Sequence, residues 1–170
     1  MMDAQEIFDA LAAPFPSEEI SWRIGSTRTD DGKVKGQCLA YIDARTVMDR
    51  LDAVVGMENW QCNYTAGVGG SIVCNIGLCI NEQWIWKADG AGASNFEAEK
   101  GALSDAFKRA AVRFGIARYL YDMKSPWVDV PSKERAYIQK PDLERLEKYH
   151  TEYARRLMVR KDERGRDGAS

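Results

Sequence analysis

The middle of the chain alternates hydrophobic and polar residues with a period of two, which is typical of a strand that buries one face. A strand is predicted over 71–80, with further strands over 60–65 and 83–87 on either side. Turn residues occupy 67–70 and 81–82, so the pattern predicts an antiparallel β-meander with one buried face. The apolar face of the central strand consists of Ile72, Cys74, Ile76, Leu78 and Ile80.

The residues before the meander predict two helices separated by a pair of extended segments. The turn between the extended segments is marked by the Asp-Asp-Gly sequence at 30–32. The second helix has Asp43 as its expected N-cap and Gly56 at its expected left-handed C-terminal position. The predicted elements are a helix over 3–12, strands over 20–27 and 34–41, and a helix over 44–55.

A long helix is predicted after the meander, from about residue 95 to about residue 114. The Asp-Gly-Ala-Gly-Ala sequence at 89–93 breaks the strand pattern, and Ser94 with Glu97 forms an expected capping box. Gly115 is expected to end the helix. Its predicted apolar stripe consists of Leu103, Phe107, Ala110 and Phe114.

The composition changes after residue 131, where charged residues become frequent and large apolar residues become few. A helix is predicted over 141–161, and 164–170 is expected to be disordered. The narrow stripe of this helix could pack on the body, contact a neighbouring subunit or bind a partner; its mixed charge favours a solvated helix. The stripe consists of Leu143, Leu146, Tyr149, Tyr153 and Leu157.

These elements predict an α+β fold: an antiparallel β-meander packed against a long helix, a shorter helix before the meander and a helical C-terminal tail. The predicted domains are 1–131 for the folded body and 132–170 for the tail. Trp84 and Trp86 share one strand face, and we expect both to pack in the core rather than to stack on bases.

Composition narrows the classes of protein that the chain can represent. Its 170 residues are 45% hydrophobic and 29% charged, with a net charge of −2. These values suit a globular protein, and neither a membrane span nor a secretory leader is expected. The single histidine, His150, lies far from the cysteines, so no zinc site is predicted and the thiols are expected to be reduced, as in the cytoplasm. The cysteines are Cys38, Cys62, Cys74 and Cys79.

Basic residues concentrate on the long helix despite the acidic total. Lys108, Arg109 and Arg113 lie on or near one exposed face, and Arg118 could extend the row. Fixed cations at regular spacing suit a phosphate backbone and read no bases. The alternative is a solvated charged face in which Asp105 pairs with Lys108 and Arg109. Residues 97–124 carry the cations Lys100, Lys108, Arg109, Arg113, Arg118 and Lys124 and the acids Glu97, Glu99, Asp105 and Asp122.

A motif in this helix has a specific resemblance. The run from Glu99 to Gly115, with Ser-Asp-Ala-Phe-Lys-Arg-Ala-Ala at 104–111, resembles the characteristic helix of the Rad52 family of single-strand annealing proteins. The Tyr-Ile-Asp sequence at 41–43, the helix after it and Trp60 also resemble that family. The likeness covers roughly 20–121, with the elements in the family's order.

The resemblance implies an oligomeric ring that binds single-stranded DNA in a positively charged outer groove. By resemblance, Lys108 and Arg109 contact the DNA backbone. Arg45 is a candidate for a further family contact, although Thr46 occupies the matching position. The turn at 67–71 carries no charge, so a second DNA site of the kind some members have there is not expected. The candidate nucleic-acid-binding residues are Lys108, Arg109, Arg45, Lys100, Arg113 and Arg118.

The expected function is therefore binding and annealing of single-stranded DNA in recombination and double-strand break repair. Annealing makes no covalent bond, so no catalytic residue, metal or cofactor is expected. A single-strand-binding protein is a possible partner, and the expected location is the cytoplasm of a bacterium or of a phage-infected host.

Two other functional classes fit parts of the sequence. A metal-dependent DNA-processing enzyme would use acids on the helix surfaces, but these have no recognised metal spacing and are expected to form ion pairs. A non-catalytic assembly module would present the basic face to an acidic protein. No Gly-Lys-Ser/Thr sequence follows either glycine-rich turn, so ATP dependence is not expected. The acids in question are Asp49, Asp52, Glu97, Glu99 and Asp105.

Overall fold

A computed structural model describes residues 3–92 and 96–167, except for the side chains of 96–100 and 164–167. The chain forms two compact units. The first contains the residues up to 13 together with 43–118, and the second contains 14–42 together with the residues from 119 onward. None of the described helices is long and apolar enough to cross a membrane. In chain order the elements are α1 (Ala4–Leu11), β1 (Ser21–Asp30), β2 (Lys33–Tyr41), α2 (Ala44–Val55), β3 (Trp60–Ala66), β4 (Ile72–Ile80), β5 (Gln83–Ala91), α3 (Phe96–Val112), β6 (Trp127–Asp129) and α4 (Lys140–Asp167).

The predicted meander is the sheet of the first unit. Its strand order is β3-β4-β5, with antiparallel pairing throughout. Ile80 pairs with Gln83 across a two-residue turn in which Asn81 and Glu82 have φ of 51° and 64°. This tight turn fixes the register of the hairpin. Four of the five residues predicted for the apolar face of β4 are buried, since Cys74, Ile76, Leu78 and Ile80 are at most 4% exposed, whereas Ile72 is only partly buried.

Helix α3 packs on β4 and β5 through a face made largely of alanine and phenylalanine. The Phe107 ring is 1% exposed, and its centroid lies 6.1 Å from that of Trp60. Leu103, expected in the apolar stripe, is 40% exposed. The helical period gives the direction of a side chain and not whether another surface covers it. The buried residues of this face are Ala102, Ala106, Phe107, Ala110, Ala111 and Phe114.

Strand β5 is longer than predicted. The prediction that the strand breaks at residue 89 is wrong, because Asp89, Gly90 and Ala91 continue the antiparallel pairing with β4. The Asp89 carboxylate accepts a hydrogen bond from the Gly90 N–H at 2.8 Å. An Asp-Gly sequence that is often a turn is therefore accommodated within a strand. The predicted capping box of Ser94 lies outside the described residues.

The expectation that Trp84 and Trp86 pack in the core is wrong. They are 43% and 44% exposed, because they lie on the sheet face opposite α3. The two rings stack with their centroids 6.1 Å apart and their planes at 28°. Gly77 pairs with Trp86, and a Cβ atom at Gly77 would lie 2.8 Å from the indole ring. The aromatic pair thus rests on a position that only glycine fits without rearrangement.

Helix α2 spans the predicted residues. The Asp43 carboxylate accepts from the Thr46 backbone N–H at 2.9 Å, and this bond contributes most to holding the pKa of Asp43 below its usual value. Gly56 has φ of 88° but ψ of 145°, so it has the expected positive φ without being left-handed helical. Arg50 donates to the carbonyl oxygens of Ala10, Leu11 and Ala13, which joins α2 to the end of α1.

The second unit contains the other predicted hairpin and the C-terminal helix. Its sheet has the order β1-β2-β6, and Asp31 and Gly32 form the turn between β1 and β2 with φ of 48° and 74°. Helix α4 is not the solvated helix that its charge favoured, since Leu146 is 3% exposed and belongs to a buried cluster with residues of β2 and β6. Residues 164–167, expected to be disordered, are helical, whereas 168–170 lie outside the described residues. The functional division at residue 131 stays a prediction.

His150 of α4 is fully buried within a chain of hydrogen bonds. Its Nε2 lies 2.8 Å from the Tyr119 hydroxyl, and its Nδ1 lies 2.7 Å from Ser17 Oγ. A neutral imidazole with its proton on Nδ1 satisfies every group in the chain. On one side of the ring, the Phe15 N–H donates to the Tyr119 hydroxyl, which donates to His150 Nε2. On the other side, His150 Nδ1 donates to the Ser17 hydroxyl, which donates to the Thr151 hydroxyl, and Thr151 donates to the Glu147 carbonyl oxygen.

Candidate nucleic-acid interface

The first unit presents two half-exposed arginines at the C-terminal end of α3. The side chains of Arg109 and Arg113 are 49% and 56% exposed, and they lie one helical turn apart. Lys108, beside them in sequence, is partly buried. The sheet supports this end of the helix from below, so the guanidinium groups project from a rigid surface. Arg109 and Arg113, which we call the arginine pair, therefore form a fixed site of positive charge.

A carboxylate from the sheet contacts both members of the arginine pair. Asp89 Oδ1 lies 3.8 Å from Arg109 Nε, and Arg113 Nε donates to Asp89 Oδ2 at 3.3 Å. Burial alone would raise the pKa of Asp89, but the Gly90 N–H and the two guanidinium groups hold that pKa below its usual value. The carboxylate is charged at neutral pH and balances one of the two arginine charges.

Sequence reasoning did not identify Asp89, because its position was interpreted as a turn and Asp105 was considered as the acidic partner. Asp89 pairs with the buried Cys74 in the β4–β5 ladder. Directly paired residues of antiparallel strands point to the same face, so Asp89 points toward α3. The usable signal was the period-two continuation of the Ile85 face through Lys87 to Asp89.

Two further cations, Arg118 and Lys87, hydrogen-bond to the carbonyl groups at the end of α3. Arg118 donates from Nε and Nη2 to the Val112 carbonyl oxygen at 3.0 and 2.7 Å. Lys87 Nζ donates to the Arg113 carbonyl oxygen at 2.9 Å and lies 4.9 Å from the centre of the Phe114 ring. The last carbonyl groups of a helix have no partner within it, and cations at that end also interact favourably with the helix dipole. Arg118 therefore stabilises the end of α3, and its contact with DNA stays a prediction.

The other candidates lie on α2 and α3. Arg45 is exposed in the first turn of α2, and its contact with DNA stays a prediction. Thr46, which occupies the family's matching position, bonds to Asp43 through its backbone N–H and its hydroxyl. Lys100 lies on α3, but its side chain is outside the described residues. In the same part of the chain, no three His, Cys, Asp or Glu side chains are placed to hold a metal ion.

Comparison with known proteins identifies the family of the chain. The family model of the Rad52/22 double-strand break repair proteins matches residues 3–69 and 65–137. The single-stranded DNA-binding protein DdrA of Deinococcus radiodurans is 34% identical over 144 residues, which are 84% of this chain and 67% of that protein. DdrA of Deinococcus deserti is 34% identical over 146 residues, covering 84% of this chain and 70% of that protein. The chain belongs to the Rad52/22 family of double-strand break repair proteins.

Proposed function

We propose that this protein binds single-stranded DNA and anneals complementary strands during double-strand break repair. Membership of the Rad52/22 family supports the proposal, as do two relatives named as single-stranded DNA-binding proteins. The observation that carries it is the arginine pair, which offers two half-exposed guanidinium groups at the end of a helix packed on the sheet.

The chemistry of annealing fits such a surface. Guanidinium groups bind phosphate oxygens and leave the base edges free, so a bound strand stays available for pairing. The protein acts without breaking or forming a covalent bond, and we propose no catalytic residue, metal or cofactor. We assign Lys108 and Arg109 as the principal backbone contacts, supported by their match to the family motif, and Arg113, Arg45 and Lys100 as additional contacts.

One subunit offers few phosphate contacts, so we further propose that the protein acts as a homo-oligomeric ring. Linked sites bind one strand with a much higher apparent affinity than a single site does. A single-strand-binding protein is a proposed partner. The proposed setting is the cytoplasm of a bacterium or of a phage-infected host cell.

The test compares two double variants that each remove two positive charges. Lys108→Ala with Arg109→Ala alters the proposed site, whereas Lys133→Ala with Arg135→Ala removes exposed cations elsewhere in the chain. Each lost single-strand phosphate contact lowers the slope of log affinity against log salt by about 0.7, so the first variant should lose about 1.4 per subunit engaged and bind about tenfold or more weakly.

The measurements are oligonucleotide affinity by fluorescence anisotropy and annealing rate, both across a salt series, with the native mass of each variant. The control variant should behave as the wild type. Equal losses in both variants would show that the effect is general charge rather than this site. An oligomer with no affinity for single-stranded DNA would refute the proposed function and favour a protein-assembly role.

A further inference from the structure

Asp89 occupies an unusual place for an acid in a surface that is proposed to bind a polyanion. Its side chain is 27% exposed, whereas those of Arg109 and Arg113 are 49% and 56% exposed. The carboxylate is therefore less accessible to solvent than either guanidinium group. A strand approaching from solvent would meet the arginines before it met the acid.

The contacts made by Asp89 leave the outer part of each guanidinium available. Arg113 Nε donates to Asp89 Oδ2 at 3.3 Å, and the nearest nitrogen of Arg109, also Nε, lies 3.8 Å from Asp89 Oδ1 in an ion pair without a hydrogen bond. Among the residues that the structure describes, the terminal nitrogens of the pair donate no hydrogen bond. Since a guanidinium presents its donors in a rigid fork, fixing the Nε side also fixes the direction of the terminal nitrogens.

The charge of the cluster supports the same role. Two guanidinium groups and one carboxylate leave a net charge of +1, so the cluster still attracts phosphate. An unrestrained arginine side chain has considerable rotamer entropy, part of which is lost when the side chain orders on a ligand. Contact with Asp89 restrains both side chains before the strand arrives, which lowers the cost of binding.

We propose that Asp89 is a positioning residue for the phosphate-binding site: it holds Arg109 and Arg113 so that their terminal nitrogens point outward, one helical turn apart, toward the backbone of the bound strand. This inference rests on the proposed function and extends it, since it assigns a role to an acidic residue on the sheet. It also requires Arg113 to act together with Arg109.

Asp89→Asn distinguishes a positioning role from simple charge neutralisation, because the two roles predict opposite changes in the affinity for DNA. The substitution keeps the shape of the side chain and removes its negative charge. If Asp89 only neutralised the arginines, its loss would tighten DNA binding and steepen the salt dependence. If it positions them, the affinity should fall about threefold to tenfold although the site becomes more positive. Asp105→Asn is the matched control, because it removes an exposed acid from α3, the helix that carries Arg109, and should not weaken binding.

A second comparison distinguishes positioning from damage to the fold. Asp89→Asn is also measured in the Arg109→Ala/Arg113→Ala background, where there is nothing left to position and the substitution should change affinity by less than about twofold. In the wild-type background, the NMR signals of the two Nε–H groups should move when Asp89 is replaced.

Weaker binding of Asp89→Asn that disappears in the double-alanine background supports the inference. Unchanged or tighter binding overturns it, and so does an equal loss in both backgrounds. These outcomes all require that the wild-type protein binds single-stranded DNA. If it does not, the proposed function fails first and the inference fails with it, so the two failures can be told apart.

Discussion

The buried imidazole of His150 makes the stability of this protein sensitive to mild acid. Desolvation lowers the pKa of His150 below 6.5 in the folded protein, while the unfolded chain binds a proton near 6.5. Protonation would place a second N–H against the Tyr119 hydroxyl, which already accepts from Phe15 and would then lose the acceptor for its own proton. The folded state therefore resists protonation.

The sign of the effect follows from the proton balance. Below pH 6.5 the unfolded state binds more protons than the folded state, so the free energy of unfolding falls as the pH falls. One proton gives a slope of at most about 1.4 kcal/mol per pH unit, so stability should drop by up to about 1 kcal/mol between pH 7.0 and pH 5.5. The chain has one histidine, and ordinary carboxyl groups and the α-amino group titrate outside this window.

Urea unfolding followed by circular dichroism at constant ionic strength measures this slope, and the single imidazole signal in an NMR titration gives the folded pKa directly. His150→Gln keeps one donor and one acceptor without a titrating group, and should remove the slope over this range. The reasoning is wrong if the variant keeps the wild-type slope, if the wild type becomes more stable toward pH 5.5, or if the imidazole titrates at or above 6.5.

Two further substitutions test structural roles in the first unit. Gly77→Ala should displace the Trp86 ring, which lowers the free energy of unfolding by about 1 kcal/mol or more and weakens the near-ultraviolet circular dichroism of the stacked indoles. Gly92→Ala, which adds a methyl group in open space, should change neither quantity. Arg118→Ala should lower the free energy of unfolding by about 0.5–1.5 kcal/mol, because it removes the hydrogen bonds to the end of α3. It should weaken DNA binding less than Arg109→Ala does. A larger loss of affinity at unchanged stability would instead make Arg118 a DNA contact.

Local sequence patterns were sufficient for most elements of the fold. The limits of α2 follow from Asp43 as its cap and Gly56 as its end, and the meander follows from the period-two pattern around β4. These features depend on residues close together in the sequence, for which capping, turn chemistry and alternation give direct information.

The errors arose where a distant part of the chain decides the outcome. Asp89 and Gly90 were interpreted as a break, but pairing with β4 keeps them in the strand. Trp86 was expected in the core because alternation shows that residues share a face without showing which face is covered. His150 was expected on a solvated helix, although its partners Ser17 and Tyr119 come from segments more than thirty residues away.

The candidate site shows the same division. The cations of α3 were visible in the sequence because they repeat with the helical period. Their acidic partner was not, because its position depends on the pairing of β5 with β4 and of the sheet with the helix. The sequence of a helix therefore predicts which of its side chains are candidates for binding phosphate. It does not show which residue elsewhere in the fold orients those side chains.

The length of the turn at 81–82 has a consequence for any insertion there. Side chains alternate between the two faces of a strand, so one added residue that shifts the pairing of β5 would reverse every side chain of that strand. Asp89 would then turn to the outer face, and Trp84 and Trp86 would turn toward α3. Such a protein would keep every cation of α3 but lose the carboxylate that orders Arg109 and Arg113. A two-residue turn between β4 and β5 is therefore as necessary for the site as the arginines themselves.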